Sequence, residues 1–182
     1  ALMSADTGGP VYPIAAPGVS MRIEADQLVA RAAIYNGDAV ERHGVPTHLA
    51  GDSLAIGEVQ LAGLVQLGAW HHTETGNGYY AIVDHQLEPL LGAFARVAIA
   101  PDQPVSRYID TGVRLRMGPW RPRDFASAGV AFARTNAGTQ TLLELTYQIL
   151  IRGWLTVQPD AQLVLQHDKG SVVMAVRAVI AL

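Results

Sequence analysis

Asp110, Arg114 and Arg116 fall at even spacing in "RYIDTGVRLRM", residues 107–117. In an extended chain successive side chains alternate between faces. Those three and Tyr108 therefore share one face, and Ile109, Thr111, Val113, Leu115 and Met117 share the other. A second polar row recurs in "ELTYQILIRGWLTVQPDAQ", residues 144–162: Glu144 and Gln148 in the first run, Gln158, Asp160 and Gln162 in the next. Arg31, Glu58 and Arg96 hold similar places inside apolar runs. Guanidinium, carboxylate and amide groups in rows bind by hydrogen bonds and charge. None of them is an activated nucleophile.

Bond-making chemistry finds little else to use. The chain has no cysteine, so thiolate metal sites, disulfides and a Cys nucleophile are excluded. No Gly-x-Ser-x-Gly elbow occurs, and "TGGP" is not a phosphate loop. His71 and His72 are adjacent, so on a strand they face opposite ways and cannot chelate together. His43 and His48 complete no metal set. The reading is therefore no catalytic residue, no metal and no cofactor. A net charge of -3 without a basic stripe argues against nucleic acid.

The elements that carry these residues are strands. From Leu155 to Gln166 the positions alternate: Leu155, Val157, Pro159, Ala161, Leu163 and Leu165 against Thr156, Gln158, Asp160, Gln162, Val164 and Gln166. Leu143–Arg152 does the same, and only Gly153-Trp154 separates the two runs, which makes a hairpin. Val172–Leu182 and 107–117 repeat the scheme. Earlier runs are Val19–Glu24, Leu28–Asn36, Leu54–Leu61, Leu64–His72, Tyr79–His85, Leu91–Ala100 and Ala126–Arg134. The pattern predicts an all-β antiparallel meander of about ten or eleven strands, with no helix. Very short breaks such as 25–27, 62–63 and 153–154 are predicted to alternate with long ones at Gly37–Ser53, Pro101–Pro104, Pro119–Asp124 and His167–Gly170.

Alternation alone leaves two environments open. A soluble sandwich turns its apolar faces inward. An outer-membrane barrel turns them to lipid and keeps a polar lumen. Three features favour the barrel. The runs are long against a usual strand length of about 5–6 residues. Gly and Ala are frequent on the apolar faces, and Lys169 is the only lysine. The composition, 49% apolar and 16% charged, fits many strands with one apolar face each, and no apolar run is long enough for a membrane helix.

"GVSMRIEADQLVARAAIYNGDA", "FARVAIAPDQPVSRYIDTGVRLRMGPWRPRDFASAGVAFAR" and "LELTYQILIRGWLTVQPDAQLVLQ" resemble the carbohydrate-selective outer-membrane porins of Gram-negative bacteria, the OprB-like family. The most specific block is Glu144, Tyr147, Trp154, Leu155, Gln158-Pro159-Asp160 and Gln162, and "GEVQL…LGAWHHT" adds another. The resemblance implies that residues 1–182 form a single porin-barrel domain, the C-terminal portion of a larger barrel. It implies an outer-membrane location, contact with lipid, a homo-oligomer, and passive diffusion of glucose-like carbohydrate without catalysis. Two departures stand out: Leu182 where the family usually ends in an aromatic residue, and "QHDKG" where it usually has Asn-Pro-Gly-Gly.

On that reading the pore-lining, sugar-contacting residues are Arg114, Arg116, Asp110, Glu144, Gln148, Gln158, Asp160, Gln162, Arg31, Glu58 and Arg96. Trp70, Trp120, Tyr147 and Trp154, with Tyr79 and Tyr80, form an interfacial girdle, and Trp70 or Trp120 can also stack on sugar. The rival reading is a non-catalytic all-β accessory or binding subunit, derived from such a porin, that acts through a protein partner.

Overall fold

The computed structural model describes residues 17–37, 52–119, 121–166 and 169–180, and these contain eleven strands and no helix. In chain order they are β1 (Gly18–Ala25), β2 (Leu28–Asn36), β3 (Ser53–Leu61), β4 (Val65–His72), β5 (Gly76–Glu88), β6 (Leu91–Ile99), β7 (Val105–Met117), β8 (Arg121–Thr135), β9 (Gly138–Arg152), β10 (Leu155–Gln166) and β11 (Lys169–Ile180). The sheet order is the chain order, and the strands run up and down, so each lies beside the strand that precedes it. β1 and β11 are the two ends of that order. The expected all-β meander is the fold.

Tight turns join β1 to β2 at 26–27, β3 to β4 at 62–64, β5 to β6 at 89–90 and β9 to β10 at 153–154. Asp26 and Ala62 take left-handed backbone angles, φ +47° and +49°, and Gly63 follows at +68°. Such angles match a turn to the twist of its two strands. The expected alternation of short and long connections fails at the other end. Only 37–52 is long. The connections at 73–75 and 136–137 are short. The predicted loops Pro119–Asp124 and His167–Gly170 are corrected as well, because β8 begins at Arg121 and β11 at Lys169. Pro122 and Asp124 looked like strand breakers. A proline is tolerated where no ladder donor is needed, and the Asp124 side chain supplies an acceptor of its own.

The strands form two compact units, one from Ala1–Val83 and Arg96–Tyr108, the other from Asp84–Ala95 and Ile109–Leu182. The boundary falls inside β5, β6 and β7. Within the first unit the register pairs Arg31 with Glu58, Glu58 with Gly68 and Gly68 with Tyr80 across four strands. Within the second it pairs Gly129 with Glu144 and Glu144 with Gln162.

The faces are unequal. Leu145 is 60% exposed and Val113 45%, and Leu67, Val97, Ile109, Leu143 and Ile151 are exposed on the same kind of face. Ile149 and Leu163 are half-buried. Among the described residues only Leu54, Trp70, Ala98, Ala100 and Ala131 are buried hydrophobics, and no large side chain is fully buried. A soluble sandwich of this size would hide most of its Leu, Ile and Val. This sheet leaves them open.

The one apolar cluster of the first unit is small and lies on the opposite, polar face. Leu54, Trp70 and Ala100 are packed with Tyr35, Ile56 and Tyr80. Trp70 faces Gly78 across the β4–β5 pair, and a Cβ on Gly78 would come within 2.2 Å of the Trp70 Nε1. Tyr80 likewise covers Gly68, where a Cβ would lie 2.1 Å from the Tyr80 Cζ. Each glycine is the floor on which its cross-strand aromatic ring lies.

Candidate functional site

In the first unit Arg31 and Glu58 meet because β2 and β3 place them in register. Arg31 Nη1 donates to Glu58 Oε1 at 2.5 Å and Arg31 Nη2 to Gln60 Oε1 at 3.1 Å. The Tyr80 hydroxyl donates to the other carboxylate oxygen, Glu58 Oε2, at 2.9 Å. Both oxygens of Glu58 are therefore held, each by a charge-assisted bond. The group is part-buried. Arg96 sits on β6, half-buried and engaged with neighbouring groups.

In the second unit Arg114 and Arg116 project from alternate positions of β7 onto one ring. Their guanidinium carbons lie 5.6 and 5.5 Å from the centroid of Phe125 on β8. Each such contact stabilises by about 0.5–1 kcal/mol at an exposed site. Phe125 is the register partner of Gln148 on β9, so Gln148 shares their face. Asp110 lies on the same face of β7, buried and engaged.

The hairpin of β9 and β10 brings together Glu144, Asp160 and Gln162. Gln162 Nε2 lies 3.4 Å from both Glu144 Oε2 and Asp160 Oδ2, a long contact to each. Asp160 Oδ1 is inaccessible and has no hydrogen-bond partner. Farther along, Gln140 donates to its register partner Gln166 at 3.0 Å. Gln158 pairs with Arg177 on β11.

The expected aromatic set divides. Trp154, at the 153–154 turn, and Tyr79 are exposed. Tyr147 points its hydroxyl to Asp124 Oδ2 at 3.3 Å. Trp70 is only 5% exposed, so its ring is taken up by Tyr35, Ile56 and Tyr80 and presents no face to a sugar or to an interface. Trp120, like His43 and His48, lies outside the described residues.

His71 and His72 do point to opposite faces. His71 Nδ1 is 2.7 Å from Asn77 Oδ1. His72 Nδ1 accepts the backbone N–H groups of Glu74 and Thr75, both at 3.2 Å, so its Nε2 carries the hydrogen and donates to Gly37 O at 3.2 Å. That histidine fastens the 73–75 turn, which Gln103 also reaches by donating to Thr75 O.

Residue types alone missed Phe125, Arg177 and Asp124, and put Tyr80 in the girdle without its bond to Glu58. One signal was available for Phe125: on "FASAGVAFA" it is the bulky residue at the start of an otherwise small face, Ser127, Gly129, Ala131 and Ala133.

The model of the family described as carbohydrate-selective porin, OprB family, matches residues 71–178. The high-pH structure of Pseudomonas putida OprB is similar in fold, with a TM-score of 0.75 at 15% sequence identity over 92% of this chain. The match covers 58% of that chain, so the present sequence spans little more than half its length. No curated protein matches. Over more than half of its residues, then, the sequence carries the family's pattern, on strands ordered as a porin orders them: the chain belongs to the carbohydrate-selective porin, OprB family.

Proposed function

We propose that the chain is a wall of an outer-membrane porin of a Gram-negative bacterium, through which sugars pass by passive diffusion. Residues 1–182 act as one porin-barrel domain, part of a larger barrel, in a homo-oligomer. The observation that carries this reading is the pairing of faces. In the second unit Leu145 and Val113 stand open on one face, which suits acyl chains, and Glu144, Arg114 and Arg116 lie on the other, which suits water. The first unit divides in the same way, with Leu67 exposed on one face and Glu58 on the other. In a bilayer the strands from β2 to β10 satisfy their backbone groups through the ladder on both sides, and the rest of the larger barrel pairs the outer edges of β1 and β11, as hydrocarbon demands.

Transport in this reading is positioning without catalysis. Sugar hydroxyls donate to carboxylate and amide oxygens such as Glu144 and Gln158 and accept from guanidinium N–H groups such as those of Arg31 and Arg114. These contacts replace part of the hydration shell while staying weak enough to release. Tyr79 and Trp154 lie at the membrane–water boundary, where an amphipathic ring is favoured. Glucose-like sugars are the substrate class.

The test is extraction followed by flux. The expressed chain should leave bacterial envelopes only with detergent, keep its β spectrum, and, in proteoliposomes, admit labelled glucose faster than protein-free vesicles do. A chain that dissolves in detergent-free buffer and leaves vesicles sealed refutes the porin. It would favour an accessory subunit that works by contact with a protein.

A further inference from the structure

Several arginines of the described residues are neutralised by a carboxylate or otherwise engaged, Arg96 and Arg134 among them. Arg31 is bound to Glu58 and Arg121 to Asp124 at 3.1 Å. Arg114 and Arg116 are set apart by sharing one aromatic ring. They are exposed, they lie over the same ring of Phe125, and neither has a carboxylate partner among the described residues. Arg123, exposed and two residues before Phe125 on β8, adds a third guanidinium to that face. No described carboxylate of the same unit is ion-paired to them: Asp124 holds Arg121, Asp160 lies against Gln162, and Asp84 forms no ion pair. Asp110 is buried and engaged, Glu144 is engaged with Gln162, and Glu88 sits across the 89–90 turn without an ion pair. Gly92 of β6 packs beside Arg114. Gly92 has no side chain, and a Cβ built there would touch Gln86 Oε1 at 3.4 Å and Arg114 Nη2 at 3.7 Å.

Two guanidinium groups close together repel each other. Here the negative face of the Phe125 ring attracts both and limits their rotamers, so less freedom is lost when they bind a third group. A guanidinium fork matches a carboxylate through two parallel N–H donors, and a neutral sugar can offer only hydroxyl oxygens to it. We infer that the Arg114–Arg116 pair braced on Phe125 makes this porin prefer sugars that carry a carboxylate, uronates and aldonates, over neutral sugars of the same size. The inference rests on the porin reading and names its substrate class.

The full chain in proteoliposomes is given labelled glucose and labelled glucuronate in parallel at about 0.1 M salt. The expected result is a glucuronate-to-glucose flux ratio several-fold above one. The ratio should fall toward one in the Arg114→Gln/Arg116→Gln double variant, and part of the way in Phe125→Leu. A second measurement needs no variant. Raising salt to about 1 M shortens the screening length from about 10 Å to about 3 Å, and the ratio of the unaltered protein should collapse. A ratio at or below one at low salt, or a ratio indifferent to both salt and the double variant, overturns the inference while glucose entry keeps the porin reading intact. If neither sugar enters, the porin reading fails and takes the inference with it.

Discussion

Asp124 Oδ1 accepts the backbone N–H of Leu150 at 3.0 Å, one strand away. The β8–β9 ladder pairs residues up to Phe125 and Gln148. Beyond that point Pro122 has no N–H to give, and an aspartate side chain takes the place of a strand. The same carboxylate receives Arg121 Nη1 at 3.1 Å and the Tyr147 hydroxyl at 3.3 Å through Oδ2. Asp124→Ala leaves the Leu150 N–H and the Tyr147 hydroxyl without their acceptor. We expect a lower thermal midpoint of the β signal in detergent, with Asp124→Asn falling between because its amide oxygen can still accept from Leu150. An Asp124→Ala midpoint equal to that of the unaltered chain would show the clasp to be dispensable.

Gly78 and Trp70 form a matched pair. A methyl group at 78 cannot coexist with the indole where it lies, so Gly78→Ala must displace a ring that is nearly inaccessible. Overpacking of this kind costs about 1–3 kcal/mol. The cost should largely vanish when Trp70 is already alanine, because the two changes act on one contact. Urea titration of the four forms of this cycle measures the coupling, and additive costs would refute it.

Tyr80→Phe removes only the hydroxyl that donates to Glu58. A hydrogen bond to a charged group contributes about 1.5–3 kcal/mol, and the part exposure of this site places the expected loss at the low end. Arg31→Ala should cost more, because it removes two donors and leaves Glu58 part-buried without its cation. A larger loss from Tyr80→Phe than from Arg31→Ala in the same denaturation assay would invert the assignment of Arg31 as the principal partner.

Leu145 tests the apolar face. It stands mid-strand, exposed, opposite the face of Glu144. An arginine on the lipid side near the bilayer midplane costs about 2–4 kcal/mol. Leu145→Arg should therefore shift the chain from the membrane to the soluble or aggregated fraction after refolding into vesicles. Glu144→Leu, one residue away and on the other face, should leave partitioning intact. Equal behaviour of the two variants would mean that the faces are not distinguished by lipid.

Strand existence was legible wherever both faces declared themselves, as in Leu155–Gln166, where the expected run and β10 coincide. It was less legible where small residues blur the period. Gly138–Leu142 opens β9 with Gly and Thr and falls outside the expected runs. The start of β8 was hidden by Pro122 and Asp124, because a side-chain acceptor that substitutes for a ladder bond leaves no periodic trace. Arg31 and Glu58 could be placed on a polar face, but their meeting depends on register, which no single run specifies. Trp70 misled for a related reason. An aromatic residue near a strand end suggests an interface, and only the glycine opposite it, Gly78, eight positions on, shows that the ring lies flat against the sheet.

The succession of strands also says how the chain can assemble. Every partner in the ladder is the immediate neighbour in sequence, so structure can grow as a zipper, one hairpin at a time, with small entropic steps. Closing a loop becomes harder only slowly with its length, by about 0.6 kcal/mol per doubling. The span between Asn36 and Ser53 is therefore the steepest step of the series, and the pairing of β2 with β3 is the natural place for the zipper to pause.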